Sequence, residues 1–491
     1  MPKHGVSVSD REHGNLKLDL RHRFQFAFQI FNDSLERICI GVIFFFFALI
    51  FSPLHLSPYL LSGVVGIAIL WRYRFEILIF LNPIAFCWFV VNRIEGSPNQ
   101  LKVLSSFGAL GLAFFVYVFW IFAIVRIRRL SFLVGAIVIL MIPILPLAFH
   151  YLISPQWLIA QDVGRVTVYA YSRGVWFAMM IWAIRAFGGH DHQPGFRSAI
   201  LAMNPFWNVL QVPVPGDLKP TSLSHAEFVR LQRSGLRLLL GIVLPMQLIL
   251  ESLQLLGERH VWLRVAYLSG TESASVVPLV NELSRAELWL SSLTGGFIYI
   301  VGRGMEYGFM VAIARGCGVS LQAEVQNVIQ STRFFDFLKR ISFHYVEMLN
   351  RIWIVPSLHK INRHIQRESS ATILTTWLRT NSVPIAISIG IILGGVTHQW
   401  TLIGGSLLSS GIRLLQKSVI ESYYYILIAA AVWISIRTER GQSKRSTIRR
   451  VFMCFVYFGY FSILLFLLAH SQGVFGNPFW AFGTLARMFG A

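Results

Sequence analysis

Apolar residues fall in long runs along this chain, not at the alternating or heptad spacing of soluble elements. Ile38 to Phe51 and Phe107 to Val125 are almost unbroken. A run of about 20 such residues crosses the hydrocarbon core of a bilayer as a helix, whereas a β-barrel would alternate over about 10 residues. The pattern predicts about eleven spanning helices, near 36–52, 57–72, 75–92, 104–125, 131–151, 166–187, 236–256, 288–312, 385–408, 422–436 and 451–470. The expected fold is an all-α polytopic membrane helix bundle.

Two stretches break the rhythm. Residues 188–235 hold Pro194, Pro205, Pro213, Pro215 and Pro220, and residues 315–384 are too polar to span. Within the second, Phe334, Phe337, Leu338, Ile341, Tyr345, Met348, Leu349, Ile352 and Val355 recur at three- and four-residue steps. That spacing predicts an amphipathic helix, broken at Pro356. Such a helix lies at the interface or dips between spanning helices where it lines a cavity. The organisation expected is a cytoplasmic segment 1–35, N-terminal transmembrane helices over 36–187, a core over 188–470 with 188–235 and 315–384 cytoplasmic or re-entrant, and a tail 471–491. No internal repeat is visible, which weighs against the inverted-repeat transporters.

Composition sharpens this picture. Of 491 residues, 55% are apolar and 13% charged, with a mean hydropathy of +0.59. A soluble chain carries roughly 25% charged residues, so a soluble enzyme is excluded. The net charge of +20 could suggest nucleic acid. Its cations, however, sit in short connectors: Arg72 and Arg74, then Arg126, Arg128 and Arg129, then Arg440, Lys444, Arg445 and Arg449. The positive-inside rule accounts for that distribution, sets the N-terminus inside, and leaves no role for nucleic acid. The first span is expected to serve as an uncleaved signal. Cys39, Cys87, Cys317 and Cys454 form no CxxC pair, so neither a disulfide framework nor a zinc site is expected.

The sharpest chemical feature is His398, in Gly394-Gly395-Val396-Thr397-His398-Gln399-Trp400. An ionisable residue inside a span is a functional hypothesis by default, and imidazole titrates near neutrality, as a general base requires. The competing reading is a histidine hydrogen-bonded within the bundle or seated at the lipid interface. Other clusters carry less. Gly188-Gly189-His190-Asp191-His192 offers no third ligand and reads as a solvated loop. Arg173 and Arg185 either pair with Asp162, bind a head group or snorkel. Glu306 reads as a structural ion pair with Arg303 or Arg315. Neither GxSxG nor GxxxxGK[ST] occurs. No metal site is expected.

From about residue 200 onward the order of segments resembles the membrane-bound O-acyltransferase (MBOAT) family. It looks most like the bacterial branch that acts in alginate O-acetylation and teichoic-acid D-alanylation. The residues that carry this are Asn204-Pro205-Phe206-Trp207 through Pro213-Val214-Pro215-Gly216, then Gly235-Leu236-Arg237-Leu238-Leu239-Leu240-Gly241. Glu306-Tyr307-Gly308-Phe309-Met310-Val311-Ala312-Ile313-Ala314-Arg315-Gly316-Cys317-Gly318 follows, then Phe334-Phe335-Asp336-Phe337-Leu338-Lys339-Arg340-Ile341-Ser342, ending in Trp353-Ile354-Val355-Pro356. Gly395-Val396-Thr397-His398 closes the series. Ser342 stands where the family has a histidine, asparagine or aspartate, and Thr397 where it has tryptophan. The second polar residue is then Asn350, or His344, or is missing.

The resemblance implies an O-acyltransferase of a multi-pass cell membrane, the bacterial inner membrane. It implies an acyl-CoA or acyl-carrier thioester as donor, no bound cofactor, and a hydroxyl of an exported or cell-envelope glycan or of a lipid as acceptor. It also implies an extracytoplasmic partner protein. His398 would be the base, with Ser342, His344 or Asn350 orienting it or binding the oxyanion. Arg333, Lys339 and Arg340 would attract the donor's phosphates or anchor to anionic lipid. Two rivals remain: a catalytically silent scaffold or lipid-binding subunit of the same fold, and a transporter or flippase.

Overall fold

The computed structural model describes residues 34–50, 58–74, 76–81, 118, 223–270, 277–323, 325–368, 372–403, 412–438, 447–473 and 478–490. Among them the regular elements are helical and no strand occurs. In chain order the main helices are α1 (34–50), α2 (Pro58–Ile69), α3 (His225–Gly257) and α4 (Val261–Gly270). Next come α5 (Arg285–Gly316), α6 (Phe334–Ile341), α7 (Phe343–Leu349) and α8 (Val355–Arg367). The last are α9 (Ile373–Ile403), α10 (Ile412–Thr438), α11 (Thr447–Gly473) and α12 (Pro478–Phe489).

Four helical stretches among the described residues are long and apolar enough to cross a membrane: His225–Gly257, Arg285–Gly316, Ile373–Gly395 and Ile448–Leu467. A shorter apolar run, Tyr423–Arg437, lies in α10. These five coincide with the last five expected spans. The spans expected near 104–125, 131–151 and 166–187 lie outside the described residues apart from residue 118. So do Cys87, Asp162, Arg173, Arg185, His190, Asp191 and His192.

Several expected boundaries shift. α3 starts at His225, inside the segment expected to end at residue 235. The start is fixed by a capping box: the Ser224 hydroxyl accepts from the Glu227 N–H while the Glu227 carboxylate takes the Ser224 N–H at 2.8 Å. Ser284 and Glu287 start α5 in the same way. α9 starts at Ile373, so Pro384 lies inside a helix rather than at the end of a connector. The expected tail is instead a docked helix, α12. Its last carbonyls accept from Arg285 Nε to Met488 at 3.0 Å and from Trp289 Nε1 to Met488 at 2.8 Å. A guanidinium at a helix C-terminus satisfies orphan carbonyls and opposes the dipole.

α5 is the centre of the bundle, with every residue from Tyr307 to Ala314 buried. In lipid, helices associate by close packing, and small residues let backbones approach. Gly296 meets Ser462 of α11 so closely that a Cβ there would overlap it. Gly295 faces the Ala266 carbonyl of α4 at 3.2 Å from where a Cβ would sit, and Gly304 faces Met246 Sδ of α3 at 2.7 Å. α5 then ends in a Schellman motif: Val319 N–H bonds the Ala314 carbonyl at 2.8 Å and Gly318 N–H bonds the Arg315 carbonyl at 3.0 Å. Gly318 takes φ +77°, a conformation suited to glycine.

Candidate functional site

The segment expected as one amphipathic helix is built as three pieces. α6 buries Phe334, Phe337, Leu338 and Ile341, the stripe read from the spacing. It is seated between α10 and α11: the Phe334 N–H bonds Ser435 Oγ at 3.0 Å, and the Phe334 and Phe337 rings stack 6.1 Å apart beside Tyr457. Ser342 then leaves helical geometry (φ −147°, ψ 68°). Its N–H bonds the Leu338 carbonyl at 3.0 Å and its carbonyl takes the Val346 N–H at 3.1 Å. It is thus a half-buried junction between α6 and α7.

α7 widens into a π-helical turn over Asn350–Ile354, closed by the Val355 N–H on the Asn350 carbonyl. Pro356, expected to break the helix, sits instead in the first turn of α8. α3 contains the same device, a π turn over Leu239–Val243 followed by Pro245 in the first turn beyond it. Proline has no N–H to give and its ring crowds the preceding turn. Widening the helix just before it takes up that misfit, and such turns recur at functional sites.

The π turn packs on α9. Positions 390, 394 and 398 of α9 are four apart and share one face. The first two are glycines: a Cβ on Gly390 would overlap Ile354, and one on Gly394 would overlap Leu349, with Trp353 Cδ1 at 3.5 Å. Beside them, a Cβ on Gly395 would overlap the Tyr425 ring of α10. The contacts run antiparallel, since advancing from Gly390 to Gly394 moves the partner back from Ile354 to Leu349. Carried one turn further, that register sets position 398 level with Tyr345 and Val346. His398 itself is helical, and its side chain lies outside the described residues.

The three candidates for the second polar residue separate on this frame. Asn350 is half-buried and begins the π turn, next to the Leu349 that fills the Gly394 notch. Position 344 falls about 140° round α7 from Leu349, off the stripe that meets α9. The side chain of His344 lies outside the described residues. Ser342 is at the α6–α7 junction. Tyr345, unlike these, is only an apolar position in the sequence pattern. Its hydroxyl is shut off from solvent, and burial, with Tyr425, Tyr299 and Tyr424 around it, holds its phenol well above the ordinary tyrosine range. The run Tyr423-Tyr424-Tyr425 inside an expected span was the available signal for this cluster.

The three cations do not form an open set. Lys339 Nζ lies 3.7 Å from Glu347 and 5.5 Å above the Phe343 ring. Arg340 Nε lies 3.2 Å from Asp336, and its Nη1 donates to the Asn327 carbonyl at 2.9 Å. Arg333 is exposed at the start of α6. The ion pair expected for Glu306 is absent among the described residues. Arg303 donates to the Tyr307 hydroxyl and lies over the Tyr299 and Tyr307 rings at 5.1 Å, and Arg315 donates to the Leu321 carbonyl and Ser234. No group of three metal-ligating side chains converges among the described residues.

Fold and composition define a helical membrane protein. No family model matches the chain, and no curated protein matches it.

Proposed function

We propose that the protein is a membrane O-acyltransferase that moves an acyl group from an acyl thioester to a hydroxyl of an exported or cell-envelope glycan or of a lipid. His398 takes the hydroxyl proton. The alkoxide oxygen attacks the thioester carbonyl, and the collapsing intermediate expels a thiolate, which recovers the proton from the imidazolium. Asn350 and Tyr345 supply hydrogen bonds to the oxyanion or the imidazole. Arg333, Lys339 and Arg340 attract the donor phosphates. An extracytoplasmic partner protein completes transfer.

What supports this reading is the Gly390–Gly394 notch, which seats the π turn beginning at Asn350 one helical turn before His398. Ser342, at the family's polar position, instead favours a silent scaffold of the same fold. Membranes holding the chain or His398→Ala, supplied with labelled acyl-CoA and a hydroxyl acceptor, separate the two. Loss of the base should slow transfer by about 10²–10⁴-fold at equal protein level. An unchanged rate in that variant removes His398 from the mechanism. A wild-type chain with no transfer from any thioester leaves the scaffold.

A further inference from the structure

α8 joins the π turn to a spanning helix, and its two faces have opposite character. Leu358, Ile361 and Ile365 lie on one side, with Ile365 buried and the other two half-buried, and that side packs on α9. Lys360, Arg363 and Arg367 occupy the other side, within about 60° of one another at 100° per residue, and all three are exposed. His364 lies beside this arc and pairs at 3.3 Å with Glu368, just beyond the helix, while α8 itself contains no acidic residue. An ordinary interfacial helix presents its apolar face to the bilayer. In α8 that face is already used inside the protein, so any contact with a membrane runs through charge.

The start of α9 locates the membrane surface beside it. Ile373, Leu374 and Trp377 are 93%, 57% and 46% exposed at the head of a helix apolar enough to span. Trp377 stacks on Trp433 at 6.3 Å, Arg437 lies over Trp433 at 5.6 Å and donates to Asn381 at 2.7 Å, and Arg379 is exposed on the next turn. Paired tryptophans with arginines at a helix end seat at headgroup level. The basic face of α8 is connected to this rim by only 368–372.

We propose that Lys360, Arg363 and Arg367 of α8, with Arg379 of α9, form a binding surface for the phosphate headgroups of anionic phospholipids. This inference is independent of acyl transfer. Clusters of cations beside a spanning helix gain from the negative potential of a leaflet, by about fivefold in partitioning per cation. The surface would hold the α7–α8 segment, and so the π turn, at a fixed depth against α9.

The test uses the full chain in nanodiscs of mixed phosphatidylcholine and phosphatidylglycerol, with lipids retained on the protein counted by native mass spectrometry. Wild type should be enriched in phosphatidylglycerol over the bulk ratio. Lys360→Gln/Arg363→Gln/Arg367→Gln should lose that enrichment, by up to ~10²-fold in preference. Arg363→Lys/Arg367→Lys should keep it, because charge rather than fork geometry carries the contact. If the triple variant fails to fold in pure phosphatidylcholine discs, the enrichment of wild type must instead fall as ionic strength rises. Equal enrichment in the folded triple variant, or enrichment insensitive to salt, overturns the proposal. So does stabilisation of wild type in neutral discs by soluble coenzyme A or pyrophosphate that the triple variant loses, which would make the surface a site for a soluble phosphate.

Discussion

Gly394 of α9 lies so close to Leu349 of α7 that a single added methyl group would overlap the leucine side chain. The first consequence concerns stability. Gly394→Val forces that side chain, and with it the π turn, away from α9. Overpacking of a tight contact costs about 1–3 kcal/mol. Thermal unfolding in detergent should therefore occur at a lower temperature in Gly394→Val. Gly459→Ala in α11, where nothing lies within 4 Å, provides the contrast: it should leave the midpoint unchanged or raise it slightly. Equal midpoints for Gly394→Val and wild type would mean that the helices do not approach as described.

Gly318 tests the end of α5. Its φ of +77° disfavours any side chain by about 1–2 kcal/mol. A Cβ would also lie 2.7 Å from the Phe228 ring and 3.1 Å from Arg74 Cδ. Gly318→Ala should lower the denaturation midpoint by at least the backbone term, because the buried Phe228 has little room to retreat. A wild-type midpoint would show that α5 continues past this turn.

The adjacent Cys317 gives a chemical readout of the same corner. Burial pushes its thiol up to about 12. Only the thiolate reacts with maleimide, and at pH 8 a thiol with that pKa is ionised to about one part in 10⁴. The Cys317 peptide should stay unmodified in native membranes at pH 8 and become modified once the protein is denatured. Rapid native labelling of Cys317 would show the corner to be open to water.

The later spans, those among the described residues, are legible because their signal is one-dimensional. α5, α9 and α11 declare themselves by apolar length, and the Phe334–Ile341 stripe by its period. The parts that misled were those decided by neighbours distant in sequence. Pro356 predicts a break, yet the π turn before it keeps the helix running, and Pro384, the bound of a stretch expected not to span, lies inside α9. α12 looked like a tail because the residues that hold it, Arg285 and Trp289, lie about two hundred positions earlier. At the candidate site, His398 stands out by residue type, and Asn350 enters only as one alternative of the family resemblance. Tyr345 does not stand out, since a tyrosine at an apolar heptad-like step looks like core until Gly395 and Tyr425 bring the phenols together.

That tyrosine yields the sharpest functional prediction. Under the acyl-transfer reading, position 345 is level with position 398 in the register of α7 on α9, and burial among Tyr425, Tyr299 and Tyr424 keeps the proton on the Tyr345 phenol at every pH where a histidine base works. A neutral, dry donor is what an oxyanion needs, and removing one such donor costs about 10²–10³ in turnover. Tyr345→Phe keeps the ring and its packing, so the protein should insert and melt like wild type while transfer falls by about that factor with little change in KM. The pH profile separates donor from scaffold. In wild type the alkaline side should show no loss of rate through the ordinary tyrosine range, because ionisation of Tyr345 is displaced upward. The acid limb should follow the imidazole and persist in the variant. Should Tyr345→Phe retain full turnover, the phenol is structural, and Asn350 alone is left to face the reacting carbonyl.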